Sequence, residues 1–236
     1  MTVTVEMLRA ASFNTMHLDA SGFWQNLSAC KEYPRLQVVQ TGPRGHSKKP
    51  VQYSKRFYVD DIRCATLEDV AARLSVEPGT AFCGSCNKAA RLTDGREIYP
   101  HRGDLADRKI WKCDGCGGYV GCHLGTTRAL GSPADAELRK ARGILHEQRF
   151  DMIWKTADAT GGYKPEDDKA RWRIRRTART RLYAYLAHEL DLSEAECHIG
   201  MFDLETCRRA WVALKGLDYP TIRAWAKKNI KEAKAA

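Results

Sequence analysis

The pattern of apolar and polar positions changes character twice along the chain. In the first 80 residues, β-branched and aromatic runs predict two strands, at 36–40 and 53–59. The segment 41–50 between them holds two glycines, two prolines and three cations, which predicts an exposed basic loop. Helical spacing of apolar residues predicts three short helices, at 6–11, 22–33 and 66–74. The first stretch is therefore predicted to be a small α/β unit spanning residues 1–79.

The pattern then becomes ribbon-like and finally helical. Residues 80–125 are rich in glycine and cysteine, and they predict three short strands, at 97–99, 109–112 and 119–120. The region 126–236 is predicted to be mainly helical, with a break at Gly161-Gly162, and to continue directly from the ribbon. Its predicted helices run over 134–154, 165–190, 202–214 and 219–233. The predicted fold class is α+β, with the helical part packed on the ribbon.

Composition and charge narrow the class of protein. The chain has 236 residues, of which 43% are hydrophobic and 29% charged, as in folded domains. The net charge is +10, and +8 of it lies in residues 81–236, which favours an anionic partner. No apolar run is long enough for a membrane span and the N-terminus does not resemble a secretory signal, so the cytoplasm is the expected location.

Four of the nine cysteines form two CxxC pairs, Cys83–Cys86 and Cys113–Cys116, separated by 26 residues. Two such pairs in a glycine-rich segment have the ligand spacing of a zinc ribbon. Each pair bends the chain into a knuckle whose two sulfurs face one ion. Four thiolates at about 2.3 Å close the tetrahedron and leave no open position, so one structural Zn²⁺ per chain is predicted.

Nearby residues leave two alternatives open. Cys122 and His123 could substitute for members of the four or hold a second metal, although four cysteines already close the site. His146 and His198 are expected to be packing residues, and a His123–His198 metal pair stays open. His101, near Asp104, allows a nuclease interpretation, because some metal-dependent nucleases hold catalytic histidines between two CxxC pairs. No second histidine lies within 87–112, so this interpretation is the weaker one and no catalytic residue is assigned.

Three strings occur in order along the chain: Tyr99-Pro100-His101-Arg102, Tyr119-Val120-Gly121-Cys122-His123 and Cys197-His198-Ile199-Gly200. Together with the CxxC pairs, they resemble the zinc-finger-containing domain family of phage and prophage proteins over roughly residues 82–212. The resemblance implies a zinc-dependent fold and a phage origin, and hence a location in the host cytoplasm. It implies no reaction, because the family carries no assigned activity.

Seven cations lie within thirteen residues of the longest predicted helix: Lys169, Arg171, Arg173, Arg175, Arg176, Arg179 and Arg181. Arginine binds phosphate through two parallel hydrogen bonds and stacks on bases. Trp172 is expected on the opposite face with Ala178, although it could also be an exposed stacking residue. Acidic residues close in sequence are confined to 166–168, so the patch is predicted to stay positive. Lys227 and Lys228 in the tail are predicted as a second contact.

The predicted function is nucleic-acid binding by a phage-type accessory protein, in which the zinc ribbon fixes the arginine-rich helix against a phosphate backbone. The sequence leaves open whether the nucleic acid is DNA or RNA. The same helix could dock on an acidic protein surface, so the alternative is a non-enzymatic modulator that binds a host protein. A metal-dependent nuclease is the second alternative.

Overall fold

The computed structural model describes residues 2–11, 13–20, 23–30, 32–43, 54–60, 62–193 and 196–235. The protein is α+β, and the chain divides into two compact units, residues 1–80 and 81–236. Each unit is built around its own buried core. Within the described ranges, no helix combines the length and the apolar character needed to cross a membrane.

The first unit is an antiparallel sheet in which each strand pairs with the next along the chain. Its strands are β1 (Phe13–Ala20), β2 (Phe23–Cys30), β3 (Leu36–Pro43), β4 (Ser54–Val59) and β5 (Ile62–Cys64). Two helices, α1 (Val5–Arg9) and α2 (Leu67–Leu74), complete the unit. The core joins Leu8 and Val70 from these helices to Leu36 and Val59 from the sheet. Burial of these four side chains is what ties the helices to the sheet.

Several predictions for this unit are confirmed and one is wrong. Strands β3 and β4 and helix α2 lie close to their predicted positions, and Thr66 and Asp69 form the capping box. The helix predicted over 22–33 is wrong, because residues 23–30 form β2, which pairs with β1 on one side and β3 on the other. Pairing along both edges overrides the local helical pattern. The predicted basic loop lies outside the described residues from 44 onward.

The second unit begins with a three-stranded antiparallel ribbon, β6 (Arg91–Asp94), β7 (Lys109–Lys112) and β8 (Tyr119–Gly121). The strand predicted at 97–99 is wrong, since a short helix, α3 (Gly95–Ile98), follows β6 directly. Asp94 caps that helix by accepting the N–H of Arg96 over 3.1 Å. Gly95 is required at its start, because a Cβ there would overlap the carbonyl oxygen of Leu105.

The remainder of the unit is helical. Its helices are α4 (Ala136–Leu145), α5 (Asp151–Lys155), α6 (Ala157–Thr160), α7 (Asp168–Leu190), α8 (Leu204–Ala213) and α9 (Tyr219–Ala235). A π-helical turn, His146–Phe150, joins α4 to α5, so the helix predicted over 134–154 is interrupted in its middle. Helix α7 begins later than predicted, because Asp167 caps it by accepting the N–H of Ala170 over 2.6 Å. The helices bury a common core that includes Phe150, Leu182, Leu186 and Ile222.

The separation of the two cores makes the boundary near residue 80 testable. We expect residues 81–236, expressed alone with zinc, to unfold in one cooperative thermal transition followed by circular dichroism, because their core and all four clustered cysteines are retained. A fragment that starts at residue 91 lacks two of the cysteines and is expected to lose both zinc and the sharp transition. A zinc-loaded 81–236 fragment without a cooperative transition would show that residues 1–80 are needed for this fold.

Candidate zinc centre and basic surfaces

Four cysteine sulfurs converge in the ribbon part of the second unit. The Sγ atoms of Cys83, Cys86, Cys113 and Cys116 lie within 4.8 Å of one another, and each residue is a free cysteine. The closest pairs are Cys83 with Cys116 at 3.4 Å and Cys86 with Cys113 at 3.5 Å. Zn–S bonds of about 2.3 Å in a tetrahedron require sulfur separations of about 3.8 Å. The four sulfurs therefore fit one structural Zn²⁺.

The two knuckles share one backbone pattern. In each, the N–H of the first cysteine donates to the carbonyl five residues later, over 2.9 Å at Cys83 and 2.7 Å at Cys113. The N–H four residues later, at Asn87 or Gly117, donates back to that cysteine's carbonyl over 2.9 and 2.8 Å. Asn87 and Gly117 both have positive φ, 54° and 72°, which asparagine and glycine tolerate best. Equivalent turns therefore present the two sulfur pairs.

The protein environment alone does not make all four sulfurs thiolates. Burial raises the pKa of the Cys116 thiol to about 12 and also raises the pKa of Cys86. Burial acts to raise the pKa of Cys113 too, but the backbone N–H groups of Cys116 and Gly115 help to lower it overall. A bound Zn²⁺ supplies the charge that stabilises the thiolate form. Zinc affinity should therefore weaken as the pH is lowered, because protons compete for the same sulfurs.

The first knuckle is anchored to the segment that leads into α4. The N–H of Gly84 donates to the carbonyl of Pro133 over 2.8 Å. The hydroxyl of Ser85 accepts the N–H of Asp135 over 3.1 Å. Asp135 also caps α4 by accepting the N–H of Leu138. The position of the first knuckle therefore fixes where α4 begins.

The second knuckle rests on the same segment. Tyr119, just after this knuckle, exchanges two backbone hydrogen bonds with Ala134, over 3.0 and 3.4 Å. Gly118 allows this close approach, because a Cβ there would lie 2.7 Å from the carbonyl carbon of Ala134. Both halves of the cysteine cluster thus contact one short stretch of backbone, and the metal centre organises the start of the helical region as well as the ribbon.

Arg142 of α4 lies beside the first knuckle and is only 8% exposed. Its Nε donates to the carbonyl of Phe202 over 2.8 Å, and its two Nη atoms donate to the carbonyl and hydroxyl of Ser132 over 2.8 and 2.6 Å. Among the described residues it has no carboxylate ion pair, and burial lowers the pKa of its guanidinium. A Cβ on Gly84 would lie 2.7 Å from its Nη2. Zn²⁺ with four thiolates carries a net charge of about −2, which offsets this buried cation.

Cys122 and His123 lie outside the four-sulfur cluster. The Cys122 thiol donates to the carbonyl of Thr127 over 3.4 Å, and burial raises the pKa of that thiol. The Nε2 atom of His123 is 3.3 Å from the guanidinium of Arg128. Both residues therefore have structural contacts of their own at the end of the ribbon.

His101, on which the nuclease interpretation depends, is exposed in the turn that follows α3. Nearby Asp104 pairs with Arg102 at 2.7 Å. Among the described side chains, the four cysteines form the only group of three or more His, Cys, Asp or Glu residues close enough to share a metal. Within the described part of the chain, His101 belongs to no such group.

Some cations of α7 are neutralised by a residue distant in sequence. Arg175 pairs with Asp158 at 2.8 Å, and Arg171 approaches the same carboxylate at 3.4 Å. The guanidinium of Arg175 is the main cause that holds the pKa of Asp158 below its usual value. The expectation that acids near α7 are confined to 166–168 is therefore wrong, because α6 brings Asp158 against the helix.

The remaining cations on the outer side of α7 form a line with an aromatic side chain, here called the α7 stripe: Lys169, Trp172, Arg173 and Arg176. These positions are i, i+3, i+4 and i+7, which lie on one helix face. Trp172 is 55% exposed, and the Arg176 guanidinium lies 5.1 Å from its ring centre. Placing Trp172 with buried Ala178 is therefore wrong. Lys169, Arg173 and Arg176 form no ion pair with any residue that the structure describes.

The predicted second contact consists of two exposed lysines in α9, Lys227 and Lys228. Helix α9 runs alongside α7 in the same direction, since Tyr219 contacts Arg181 and Trp225 contacts His188. The two lysines follow Trp225 and lie level with the C-terminal end of α7. His188 is about 18 Å of helix beyond Arg176. The tail lysines therefore do not extend the α7 stripe.

A groove of about 810 Å³ opens within the second unit between the ribbon and the helices. We call it the basic groove after six of its lining residues, Arg139, Arg142, Arg179, His123, His146 and His198. The sequence interpretation treated His146 and His198 as packing residues and did not bring them together. No spacing signal could have brought these two and His123 together, because the three histidines come from three separate segments that meet only in the folded chain.

Two equivalent cysteine knuckles on a three-stranded ribbon define the class: a zinc-binding protein built on a zinc finger. Comparison with protein-family models matches residues 79–166 and 167–216 to the zinc-finger-containing domain family. These matches cover more than half of the chain, which therefore belongs to that family. No curated protein and no solved structure matches the chain significantly.

The zinc assignment predicts a clear difference between two cysteine variants. Cys113→Ser removes a buried ligand and is expected to reduce bound zinc from one per chain to far less than one, with loss of thermal stability. Cys122→Ser is the matched control, because its sulfur lies outside the cluster, and it is expected to keep its zinc. Metal analysis of the purified proteins measures both. Equal zinc loss in the two variants would contradict the assigned ligand set.

The docking of the first knuckle predicts a second result. In Gly84→Ala, the added Cβ would lie 2.6 Å from the Ser132 hydroxyl and 2.7 Å from Arg142. We expect the free energy of unfolding to fall by about 1–3 kcal/mol while all four thiols remain available for zinc. Gly103→Ala is the control, since its Cβ would meet nothing within 4 Å. Chemical denaturation measures the difference, and equal stability of the two variants would contradict tight docking at Gly84.

Proposed function

We propose that this protein binds nucleic acid through the α7 stripe. The observation that carries the proposal is the line of exposed Lys169, Arg173 and Arg176 beside exposed Trp172. Cations bind the phosphate backbone and release its counterions, whereas an exposed indole offers a stacking platform for a base. A solvated helix face needs the cations for solubility but does not need a large apolar ring in their midst.

The proposal involves fewer arginines than the sequence suggested. Arg171 and Arg175 are held by Asp158, and Arg181 donates to the hydroxyl of Tyr219 over 2.8 Å. These three side chains support packing of α7 on α6 and α9, and they help to orient the stripe. Arg179 lies between the stripe and the basic groove, with its guanidinium 5.8 Å from the centre of the Trp154 ring. The phosphate contacts we assign are thus Lys169, Arg173 and Arg176, with Arg179 at the edge.

The zinc centre has a structural part in this proposal. It anchors the segment before α4, and α4 in turn continues through the π-helical turn into α5, which packs on α7. A role as a phage accessory protein in a host cytoplasm agrees with the sequence resemblance and remains a prediction. The alternative partner of the same cationic face, an acidic host protein, also remains a prediction.

The proposal is tested by fluorescence anisotropy with labelled single-stranded and duplex DNA and RNA over a range of salt. The triple variant Lys169→Gln/Arg173→Gln/Arg176→Gln removes three phosphate contacts. We expect weaker binding, and a slope of log K against log salt that is smaller by about 2–3. The control Lys140→Gln/Arg208→Gln/Lys215→Gln removes the same charge from exposed positions elsewhere and is expected to leave most of the affinity and slope intact.

The outcomes separate the two partner classes. No affinity for any DNA or RNA at low salt would refute the proposal, as would equal losses in the stripe and control variants. A host protein that stays bound in stoichiometric amount after nuclease treatment, and leaves when the stripe is neutralised, would favour the protein-partner alternative. Trp172→Ala adds a further check, because loss of base stacking should weaken single-strand binding by about 1–3 kcal/mol.

A further inference from the structure

The basic groove carries an inference that is independent of the α7 stripe. It is bordered by the end of the ribbon, by α4 with its π-helical turn, by α7 and by the turn at Gly200. Its lining includes three arginines and three histidines, and none of the described lining residues is Asp or Glu. A volume of about 810 Å³ lies within the usual range of small-molecule sites. Arginines and histidines in a concave lining that holds no carboxylate favour an anionic ligand.

His198 lines the basic groove in a fixed orientation. Its ring stacks on Tyr183 with centres 5.7 Å apart and planes 9° apart. Its Nδ1 accepts the N–H of Gly200 over 3.2 Å. An accepting Nδ1 leaves the proton of the neutral ring on Nε2. His198 is therefore a positioned hydrogen-bond donor whose Nε2 is not used by the contact with Gly200.

His146 is oriented by the π-helical turn. In a π turn the backbone bond spans five residues, and Asp151 is the fifth residue after His146. The Nδ1 of His146 is 3.4 Å from a carboxylate oxygen of Asp151. The same carboxylate accepts from the Trp154 indole over 2.7 Å and pairs with Lys155 at 2.8 Å. With Nδ1–H facing Asp151, the imidazolium form of His146 also presents an Nε2–H to an anionic ligand, and π turns occur frequently at functional sites.

Two arginines of the groove are held by aromatic rings rather than by acids. The guanidinium of Arg139 lies 4.1 Å from the centre of the Tyr119 ring, and one of its nitrogens donates to the carbonyl of Ala134 over 2.7 Å. The guanidinium of Arg179 lies 5.6 Å from the centre of the Tyr183 ring. Ring stacking restricts the planar group but uses few of its five N–H donors. Both side chains therefore keep donors for a ligand.

We propose that the basic groove binds a phosphate group, with Arg139, Arg179 and the Nε2 atoms of His146 and His198 as its donors. Tetrahedral phosphate oxygens match the paired donors of arginine, and charge-assisted hydrogen bonds are the strong ones. Buried Arg142 is not assigned as a donor, because its N–H groups are used by backbone carbonyls and Ser132 and the zinc centre offsets its charge. The phosphate group could belong to a small phosphomonoester or to the end of a nucleic acid strand.

The first test titrates the full-length, zinc-loaded protein with inorganic phosphate by isothermal titration calorimetry. We expect saturable 1:1 binding that is weakened about tenfold or more in Arg179→Gln and in Arg139→Gln. Arg179→Gln is the cleaner variant, because Arg139 also bonds to the backbone at Ala134. The exposed Arg208 of α8 provides the control, and Arg208→Gln is expected to bind phosphate like the parent protein. Absence of saturable binding, or equal weakening in Arg208→Gln, overturns the proposal.

A second readout uses pH with sulfate, which stays a dianion between pH 8 and 6. Burial, followed by the nearby charges of Arg179, His146, Arg142 and His123, lowers the pKa of His198 in the ligand-free protein. A bound anion favours the protonated ring, whose Nδ1 then no longer accepts the N–H of Gly200, and raises that pKa, so binding takes up a proton and tightens as the pH falls. We expect His198→Gln to reduce this pH dependence. Sulfate affinity that is equal at pH 8 and 6 would count against the assigned donors.

Two further comparisons identify the source of the phosphate and separate this site from the stripe. Weaker binding of a 5′-phosphorylated dinucleotide by Arg179→Gln, but not of its unphosphorylated counterpart, identifies a strand end. If Arg179→Gln weakens the binding of inorganic phosphate but of neither dinucleotide, the source is a small phosphomonoester. Either result supports the groove. The stripe variant Lys169→Gln/Arg173→Gln/Arg176→Gln is expected to keep its phosphate affinity. The groove proposal can therefore succeed or fail whatever the outcome for nucleic acid.

Discussion

The arrangement of the second unit depends on the four-cysteine centre. The ribbon, all of which is described, has few buried apolar side chains: Phe82, Ala90 and Ile110, apart from two of the cysteines themselves. None of these belongs to the helical core. Burial of so few side chains cannot offset the conformational entropy lost in ordering some forty residues. The ribbon therefore needs the metal bonds that hold its two knuckles together. Because both knuckles contact residues 132–135, the same bonds determine how the helical region starts.

The charge of this centre also accounts for an otherwise costly feature. A buried arginine with no carboxylate partner would normally be unfavourable. Arg142 is tolerated because its donors are satisfied by Phe202 and Ser132, and because it packs against the knuckle at Gly84, beside a centre of net charge about −2. The zinc centre and Arg142 thus stabilise each other. Arg142 also lines the basic groove, so the zinc centre helps to hold one wall of that groove in place.

Local sequence patterns were enough to predict some of the structural features and not others. The zinc ligands could be predicted because CxxC spacing encodes a knuckle directly, and α7 because an acidic first turn opens a long run without glycine or proline. Strand β2 was mistaken for a helix, since its pairing with β1 and β3 is a tertiary effect. Asp158 was missed as an ion-pair partner because α6 is folded back against α7. The basic groove could not be predicted, as His123, His146 and His198 meet only in the fold.

Arg179 connects the two proposed surfaces. It follows Arg176 of the α7 stripe by three residues, a rise of about 4.5 Å along the helix, and it also lines the basic groove. Neighbouring phosphates along one strand of a duplex are separated by about 3.4 Å of helix rise. A strand whose backbone follows the stripe would therefore bring its next phosphates to the mouth of the groove. A concave site suits a strand end better than the middle of a duplex. If both surfaces act on one ligand, the geometry favours a single strand that ends in a phosphate.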